Sequence, residues 1–371
     1  MSHSILQSIQ RAYHALLPQR TRLRMYKAAP EGLKTQLDHW SQRLAPAPPT
    51  PFSVPTDDDI YYCYRLLLKK EPSPEELSSW REHIDRFGFD LDRLVHEILY
   101  SDEYVQKEAQ LNQPHCVDLN TFKLYVRLND FATSAPIART KSYEPAVTAQ
   151  IRRLLNPGNT FVDVGANVGY FTMLAASITG TSGQVIAFEP NPANGELIRL
   201  SISENSFERI VTYHQAAVGA FEGTLELLVR GTHSNARLLT DSSYKLPSER
   251  PLDVPIVTLD QTLSTLDALH VIKIDVEGAE NLVWQGMQQV VERHRPAIIF
   301  EYFPESIRAV SKCEPQDMLH NISAVGYQLY WIDDDLEKEL TGPLTPEHVA
   351  TLQEQTGLQL INLLATLSAN S

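Results

Sequence analysis

The sequence predicts an α/β protein: a doubly wound, mostly parallel, seven-stranded Rossmann-like sheet preceded by a small all-helical module. Three observations carry that prediction. The run from Asn159 to Thr172 reads as a short apolar strand, a tight Gly turn and the start of a helix. From there strand and helix patterns alternate, with strands over 160–164, 184–188, 210–215, 270–275, 297–302, 327–332 and 361–365. Helices are expected between them over 169–179, 191–205, 279–293 and 315–323. Residues 56–111, in contrast, show helical spacing and capping signals throughout.

Taken in order, residues 1–55 read as a basic helical arm and a linker. Ile5, Leu6, Ile9, Tyr13, Leu16 and Leu17 recur at helical spacing, and Ala45–Pro51 is Pro-rich and extended. Residues 56–111 form the helical module. Asp57, Asp58 and Asp59 are expected to cap a helix through Leu68, and Ser73 with Pro74 starts the next. Further helices are expected over Leu91–Leu99 and from Ser101 onward. Tyr61, Tyr62, Tyr64 and Trp80 could offer a sugar-stacking surface, but at helical spacing they read first as core. Residues 112–371 form the main domain. It opens with a strand or hairpin over 116–131 and a helix from Tyr143 to Leu155. A hairpin near Thr224–Val229 is followed by an irregular loop to Pro255.

The Gly turn carries the first chemistry. Gly165 and Gly169 allow backbone to approach a nucleotide-like ligand. Asp163 stands inside an otherwise apolar strand, where an unpaired carboxylate is costly. The pattern D-x-G-x-N-x-G differs from the dinucleotide G-x-G-x-x-G, and suits S-adenosylmethionine (SAM), whose ammonium and sulfonium would partner the acid. Glu189 ends the second strand twenty residues after Gly169, where a carboxylate accepts from ribose hydroxyls. The segment Val271–Glu280 places Lys273, Asp275 and Glu277 at the end of another buried strand. Lys273 pairs with Asp275 or Glu301 on the plainer reading; Asp275 lies where such sheets bind ligands.

The runs VDVGANVGYFT, FEPNP, HQAAVG, IKIDVEGAE and IIFEYFP together resemble the FkbM-type SAM-dependent methyltransferase family. The likeness spans roughly 120–365 and includes the lead-in Tyr143-Glu144-Pro145. It implies a class I SAM fold with an antiparallel last strand, and O-methylation of a polyketide or sugar hydroxyl, which the resemblance of the helical module turns toward a sugar or glycan intermediate. By the same resemblance Asp163, Gly165, Ala166, Asn167, Gly169, Glu189, Pro190 and Ala217 hold the cofactor. The pieces YRLLLKKEPSPEELSSW and ILYSDEYV resemble a small domain found beside bacterial glycosyltransferases and methyltransferases, though Lys69-Lys70 stands where Gly-Arg is usual. That resemblance implies docking or positioning, with no chemistry of its own.

For catalysis, an aliphatic hydroxyl needs a base as its proton leaves. Asp275, Glu277 and the loop residue His233 are the candidates, and Asp275 with Glu277 could instead hold a divalent cation; no metal ligands are assigned. His214 reads as a core histidine. A catalytically silent SAM-fold scaffold docking through its helices is the alternative, and an NAD-dependent oxidoreductase fits the Gly turn less well.

Composition narrows the partners. The formal net charge of −14 argues against general nucleic-acid binding. Residues 1–44 run the other way, with seven Arg/Lys against Glu31 and Asp38. Such an arm could touch an anionic membrane or a phosphorylated carrier, although packing on the acidic body is the plainer expectation. No apolar run reaches about eighteen residues, and the start lacks a signal-peptide pattern. Three scattered cysteines, Cys63, Cys116 and Cys313, fit a reducing cytoplasm.

Overall fold

The computed structural model describes residues 54–230, 236–238, 249–333 and 342–367. The expected helix over residues 5–17, most of the linker, and His233 lie outside these. The chain divides into two compact units, Met1–Lys107 and Glu108–Ser371.

In the first unit the helices are α1 (Asp57–Cys63), α2 (Pro74–Phe87), α3 (Leu91–Leu99) and the start of α4 (Asp102–Asn112), with a π-helical turn over Tyr64–Leu68. The expected cap shifts by one residue. Thr56 caps α1: its hydroxyl accepts from Asp59 N at 3.3 Å, while the Asp59 carboxylate accepts from Thr56 N at 2.8 Å. Asp57 turns instead to Arg81. Ser73 and Glu76 build the same reciprocal box at α2, at 3.1 and 2.7 Å. Ile60, Leu68, Leu94 and Ile98 form the core. Tyr64 is buried and accepts from Trp80 Nε1 at 2.9 Å, whereas Tyr62 is exposed. The aromatic cluster therefore splits between core and surface.

The second unit opens with an antiparallel hairpin, β1 (His115–Asp118) and β2 (Lys123–Val126), then α5 (Ser134–Thr140) and α6 (Pro145–Leu154). The main sheet uses β3 (Thr160–Val164), β4 (Gln184–Phe188), β5 (Val211–His214), β10 (Val271–Ile274), β11 (Ala297–Tyr302), β12 (Tyr327–Ile332) and β13 (Ile361–Leu367). Their order is β12-β13-β11-β10-β3-β4-β5, with β13 antiparallel to both neighbours. This is the seven-stranded, mostly parallel sheet expected from sequence. Its strands are buried on both faces, as parallel strands under helices must be. Phe161 and Val185 face one core with α7 (Tyr170–Thr179) and α8 (Pro192–Glu204). Val162, Val164 and Phe188 face the other, beside Trp284 and Met287.

Three local expectations change. The helix expected over 279–293 is two, α10 (Glu280–Gln285) and α11 (Gln288–His294), broken at Gly286-Met287. A helix over Pro304–Ser311, α12, follows β11 directly and carries no sequence expectation. The stretch to Pro255 ends in a long strand, β9 (Glu249–Val257), which pairs antiparallel with β7 (Gly223–Arg230). With β6 (Ala217–Val218) and β8 (Ala236–Leu238) these make a second sheet, ordered β6-β9-β7-β8. Among the described residues no helix is long and apolar enough to cross a membrane.

The boundary between units has a testable consequence. Leu111 O accepts from Leu128 N at 2.8 Å, and Asn112 O accepts from Arg127 Nε at 3.0 Å. A chain beginning at Glu108 keeps these bonds and should unfold in one cooperative thermal transition. A chain beginning at Gln113 loses these and the bond from Asn129 N to Leu111 O at 3.2 Å, and should melt several degrees lower, at roughly 1 kcal/mol per bond and ~2–4 °C per kcal/mol. Aggregation of the Glu108 chain would show that the helices are needed for the fold of the sheet domain.

Candidate active site

A cavity of about 280 Å³ opens at the carboxyl ends of β3, β4, β10 and β11. The chain reverses direction across the sheet between β3 and β10, the place where open α/β sheets bind ligands. The small second sheet supplies Leu225, Leu227 and Ile256 as an apolar wall.

One wall is the Gly turn. Gly165 N and Ala166 N both donate to Phe188 O at 3.0 Å, tying the turn to β4. Gly165 has φ +78°, and a Cβ there would lie 1.8 Å from Asp275 O. Glycine is thus required where the first turn meets the Asp275 loop. Gly169 opens α7 at φ +88°. Asn167 takes φ +50° and lines the cavity. Glu189 is 6% exposed and also lines it. Its Oε2 accepts from Asn167 N at 2.9 Å and its Oε1 from Asn191 N at 2.8 Å. Burial pushes this carboxyl up to about 8, against the pull of those two amides and Asn194. Pro190 and Ala217 complete this side.

Beneath the cavity lies a buried charge cluster. Asp163 is fully buried, and its Oδ2 accepts from Thr172 Oγ1 at 2.6 Å. Its register partner across β3–β10 is Lys273, itself 4% exposed. Lys273 Nζ donates to Asp275 Oδ2 at 2.9 Å and sits 4.8 Å above the Phe171 ring. Burial alone would lower the Lys273 ammonium, but Asp275, Asp163 and Glu144 together hold it above its ordinary range. Asp163 shifts upward through burial, with Lys273 and Thr172 opposing.

Further acids belong to the same cavity. Asp275, Glu277, Glu301 and Glu144 all line the cavity. Glu277 has φ +54° and an exposed surface, yet the close walls and Asp275 raise its carboxyl while Lys273 opposes. Glu301 is pushed up to about 9, first by burial and then by Asp275, Glu277 and Glu280. Glu280 is spent on structure: its Oε1 accepts from Val276 N and Gly278 N at 3.1 and 3.2 Å, which folds the loop after β10.

The structure therefore brings Gly165, Asn167, Glu189, Pro190, Ala217, Asp275 and Glu277 to one cavity. Asp163, Ala166 and Gly169 support its floor and turn and do not line it. Asp163, expected to meet a cationic ligand, is fully buried, bonds to Thr172 and feels the charge of Lys273 beside it. Lys273 itself takes the expected partner Asp275, leaving Glu301 on the wall. His214, expected in the core, is half-buried at the end of β5; it stacks on Phe188 at 4.9 Å, and partial burial lowers its pKa. Sequence reasoning missed Tyr143, Glu144 and Thr133 as lining residues. Tyr143 hydrogen-bonds with Glu144 and Thr133, and Glu144 holds φ +38° immediately before Pro145. A charged residue ahead of a helix-starting proline was the available signal. Among the described residues no group of three or more His, Cys, Asp or Glu could hold a metal ion.

Residues 163–329 match the family model of the methyltransferase FkbM domain. No curated protein matches the chain. Among solved structures it is similar to a methyltransferase FkbM from Methylobacillus flagellatus KT, at 15% identity over 62% of this chain and 60% of that one, TM-score 0.35. It is also similar to a precorrin-6y C5,15-methyltransferase from Geobacter metallireducens GS-15, at 12% identity over 66% and 94%, TM-score 0.34. A third is a SAM-dependent O-methyltransferase from Thermotoga maritima, at 11% identity over 63% and 71%, TM-score 0.32.

Proposed function

With residues 163–329 matching a methyltransferase domain of FkbM type, we propose that the chain transfers a methyl group from SAM to a hydroxyl oxygen, most simply of a sugar or glycan intermediate. The observation that carries this reading is the shared cavity, lined together by Glu189, Gly165, Asn167 and Asp275.

The residues present suit the cofactor. Glu189 Oε1 takes Asn191 N at 2.8 Å and Asn194 Nδ2 at 3.4 Å, while Oε2 takes Asn167 N at 2.9 Å and keeps a lone pair for a ligand hydroxyl. Gly165 and Ala217 leave room along the wall, and Pro190 gives it an apolar face. Bound there, SAM supplies a methyl group on a sulfonium, already activated for displacement. The chain's own work is positioning and proton removal. Asp275 Oδ2 is held by Lys273, which aims the carboxylate. Its other oxygen takes the proton of the acceptor hydroxyl, and Glu277 and Glu301 orient the acceptor's remaining hydroxyls.

Calorimetry with SAM, S-adenosylhomocysteine and NAD tests the reading. The first two should bind and NAD should not. Replacing Glu189 with Ala should weaken SAM binding about tenfold or more, since bonds to a charged group contribute ~1.5–3 kcal/mol. Because the ionised carboxylate is the better acceptor and the free group titrates near 8, wild-type affinity should rise from pH 6 to pH 9 and level off above about 8. Unchanged affinity in a folded Glu189→Ala protein would remove Glu189 from the site. Binding without methyl transfer to any hydroxyl acceptor would favour a silent scaffold.

A further inference from the structure

Glu189 follows the last residue of β4, and a carboxylate standing past a strand end needs aiming. The first turn of α8 supplies part of that. Asn191 caps this helix, its Oδ1 accepting from Ala193 N at 3.0 Å, and Pro192 takes the first helical position. The third helical position turns its side chain back toward the cap, and here it holds Asn194. Asn194 is 3% exposed and does not line the cavity. Its Nδ2 donates to Glu189 Oε1 at 3.4 Å and to Asn167 Oδ1 at 3.2 Å. An amide nitrogen carries two N–H bonds, enough for both acceptors. One buried side chain thus ties together two cavity residues that lie 22 positions apart. The turn that presents it is pressed against β5. A Cβ on Gly195 would lie 2.2 Å from Tyr213 Oη, and that hydroxyl donates to Glu189 O at 2.8 Å.

We infer that Asn194 is a positioning residue for the cofactor: it braces the Glu189 carboxylate against Asn167 of the Gly turn, and SAM affinity depends on it through Glu189 rather than through any contact of its own with the ligand. The inference rests on the methyltransferase reading above. A donor to a carboxylate has two effects. It fixes where the oxygens point, so less ordering is left for the moment of binding. It also favours the ionised form, the stronger acceptor for ribose hydroxyls. Asn194 opposes the burial that raises the Glu189 carboxyl, as do the amides of Asn191 and Asn167. Other titratable groups face Glu189 as well. Asp163 of β3 adds to the rise, and Tyr213 of β5 lies close enough for the two to feel one another. Glu144, Asp275, Glu277 and Glu301 line the same cavity. A change at Asn194 leaves all of these in place.

Calorimetry of the full chain with S-adenosylhomocysteine, from pH 6 to pH 9.5, provides the test. At pH 7.5 Asn194→Ala should bind about fivefold to tenfold more weakly than wild type, the scale of one hydrogen bond to a charged group. With that donor gone the Glu189 carboxyl rises further, so the climb of affinity with pH should move above the wild-type midpoint near 8. The deficit should therefore be largest near pH 8 and narrow toward pH 9.5. In the Glu189→Ala background the same change should weaken binding by less than about twofold, because its route to the ligand is already cut. A residue that merely holds the fold would lose affinity equally at every pH and in both backgrounds. Either of those results, or unchanged affinity in folded Asn194→Ala, would overturn the inference. Asn194→Leu, which keeps the buried volume, takes its place if the alanine variant does not fold; failure of both to fold would make Asn194 structural and overturn the inference as well. Failure of the wild-type chain to bind S-adenosylhomocysteine would overturn the cofactor reading itself, an outcome distinct from wild-type binding that Asn194 does not affect.

Discussion

Replacing Lys273 with methionine should destabilise the sheet domain by about 3–5 kcal/mol, the usual loss when one partner of a buried charge pair is removed. Lys273 is 4% exposed, its ammonium donates to Asp275 at 2.9 Å, and Asp163 faces it across the β3–β10 register. Methionine fills similar volume, so the loss would be electrostatic rather than a cavity effect. Two orphaned carboxylates would remain, one of them fully buried. The sign of the pH dependence follows. The Asp163 pKa is raised by burial even with Lys273 present and should rise further without it. The variant's deficit should therefore be largest at neutral and alkaline pH and shrink as the pH falls and Asp163 takes a proton. Urea unfolding at pH 7.5 and pH 5 measures both. A partner change of Asp163→Asn should restore part of the stability in the double variant. Equal deficits at the two pH values would mean that packing, not charge, is what Lys273 contributes.

Replacing Asp275 with asparagine should lower methyl transfer about a hundredfold, the scale of a lost general base. Asparagine keeps the shape and can still meet Lys273, so SAM affinity should change by less than about threefold. That split, turnover lost and cofactor binding kept, separates a base from a structural member of the cluster. Wild-type turnover in this variant would hand the proton to Glu277 or Glu301. The pH–rate profile then tells them apart, since Glu301 is held up to about 9 and would serve as a base only on the alkaline side.

Much of the sheet was legible because its strands are short apolar runs separated by turn residues, and parity along each strand sorts the two cores, Phe161 from Val162. What escaped depends on distant backbone. At the helix break Gly286 packs so closely on Gly219 that a Cβ would lie 2.0 Å from its carbonyl oxygen, a contact invisible to local periodicity. Strand β9 carries Pro251 and Pro255, which read as loop punctuation, yet Leu228 and Thr224 of β7 pair with them. The site shows the same division. The Gly turn, Glu189 and Asp275 are local motifs, and they line one cavity. For Asp163 the nearby charge of Lys273 sits on another strand, beyond the reach of a local motif. Glu144 and Tyr143 were passed over because only the folded chain turns the segment before Pro145 toward the cavity.

The central strand pair has a consequence for synthesis. Thr160 and His270, bonded at the start of that pair, are 110 positions apart. At ~5–20 residues per second on the ribosome, β3 emerges on the order of ten seconds before β10 can join it. During that interval β4 can pair with one edge of β3 while the other stays open, with Asp163 lacking its counter-ion. An apolar, unpaired edge in a nascent chain is a template for wrong pairing. The feature that gives the finished protein its buried charge pair thus leaves the half-made chain with an exposed apolar edge, from the release of β3 until β10 arrives.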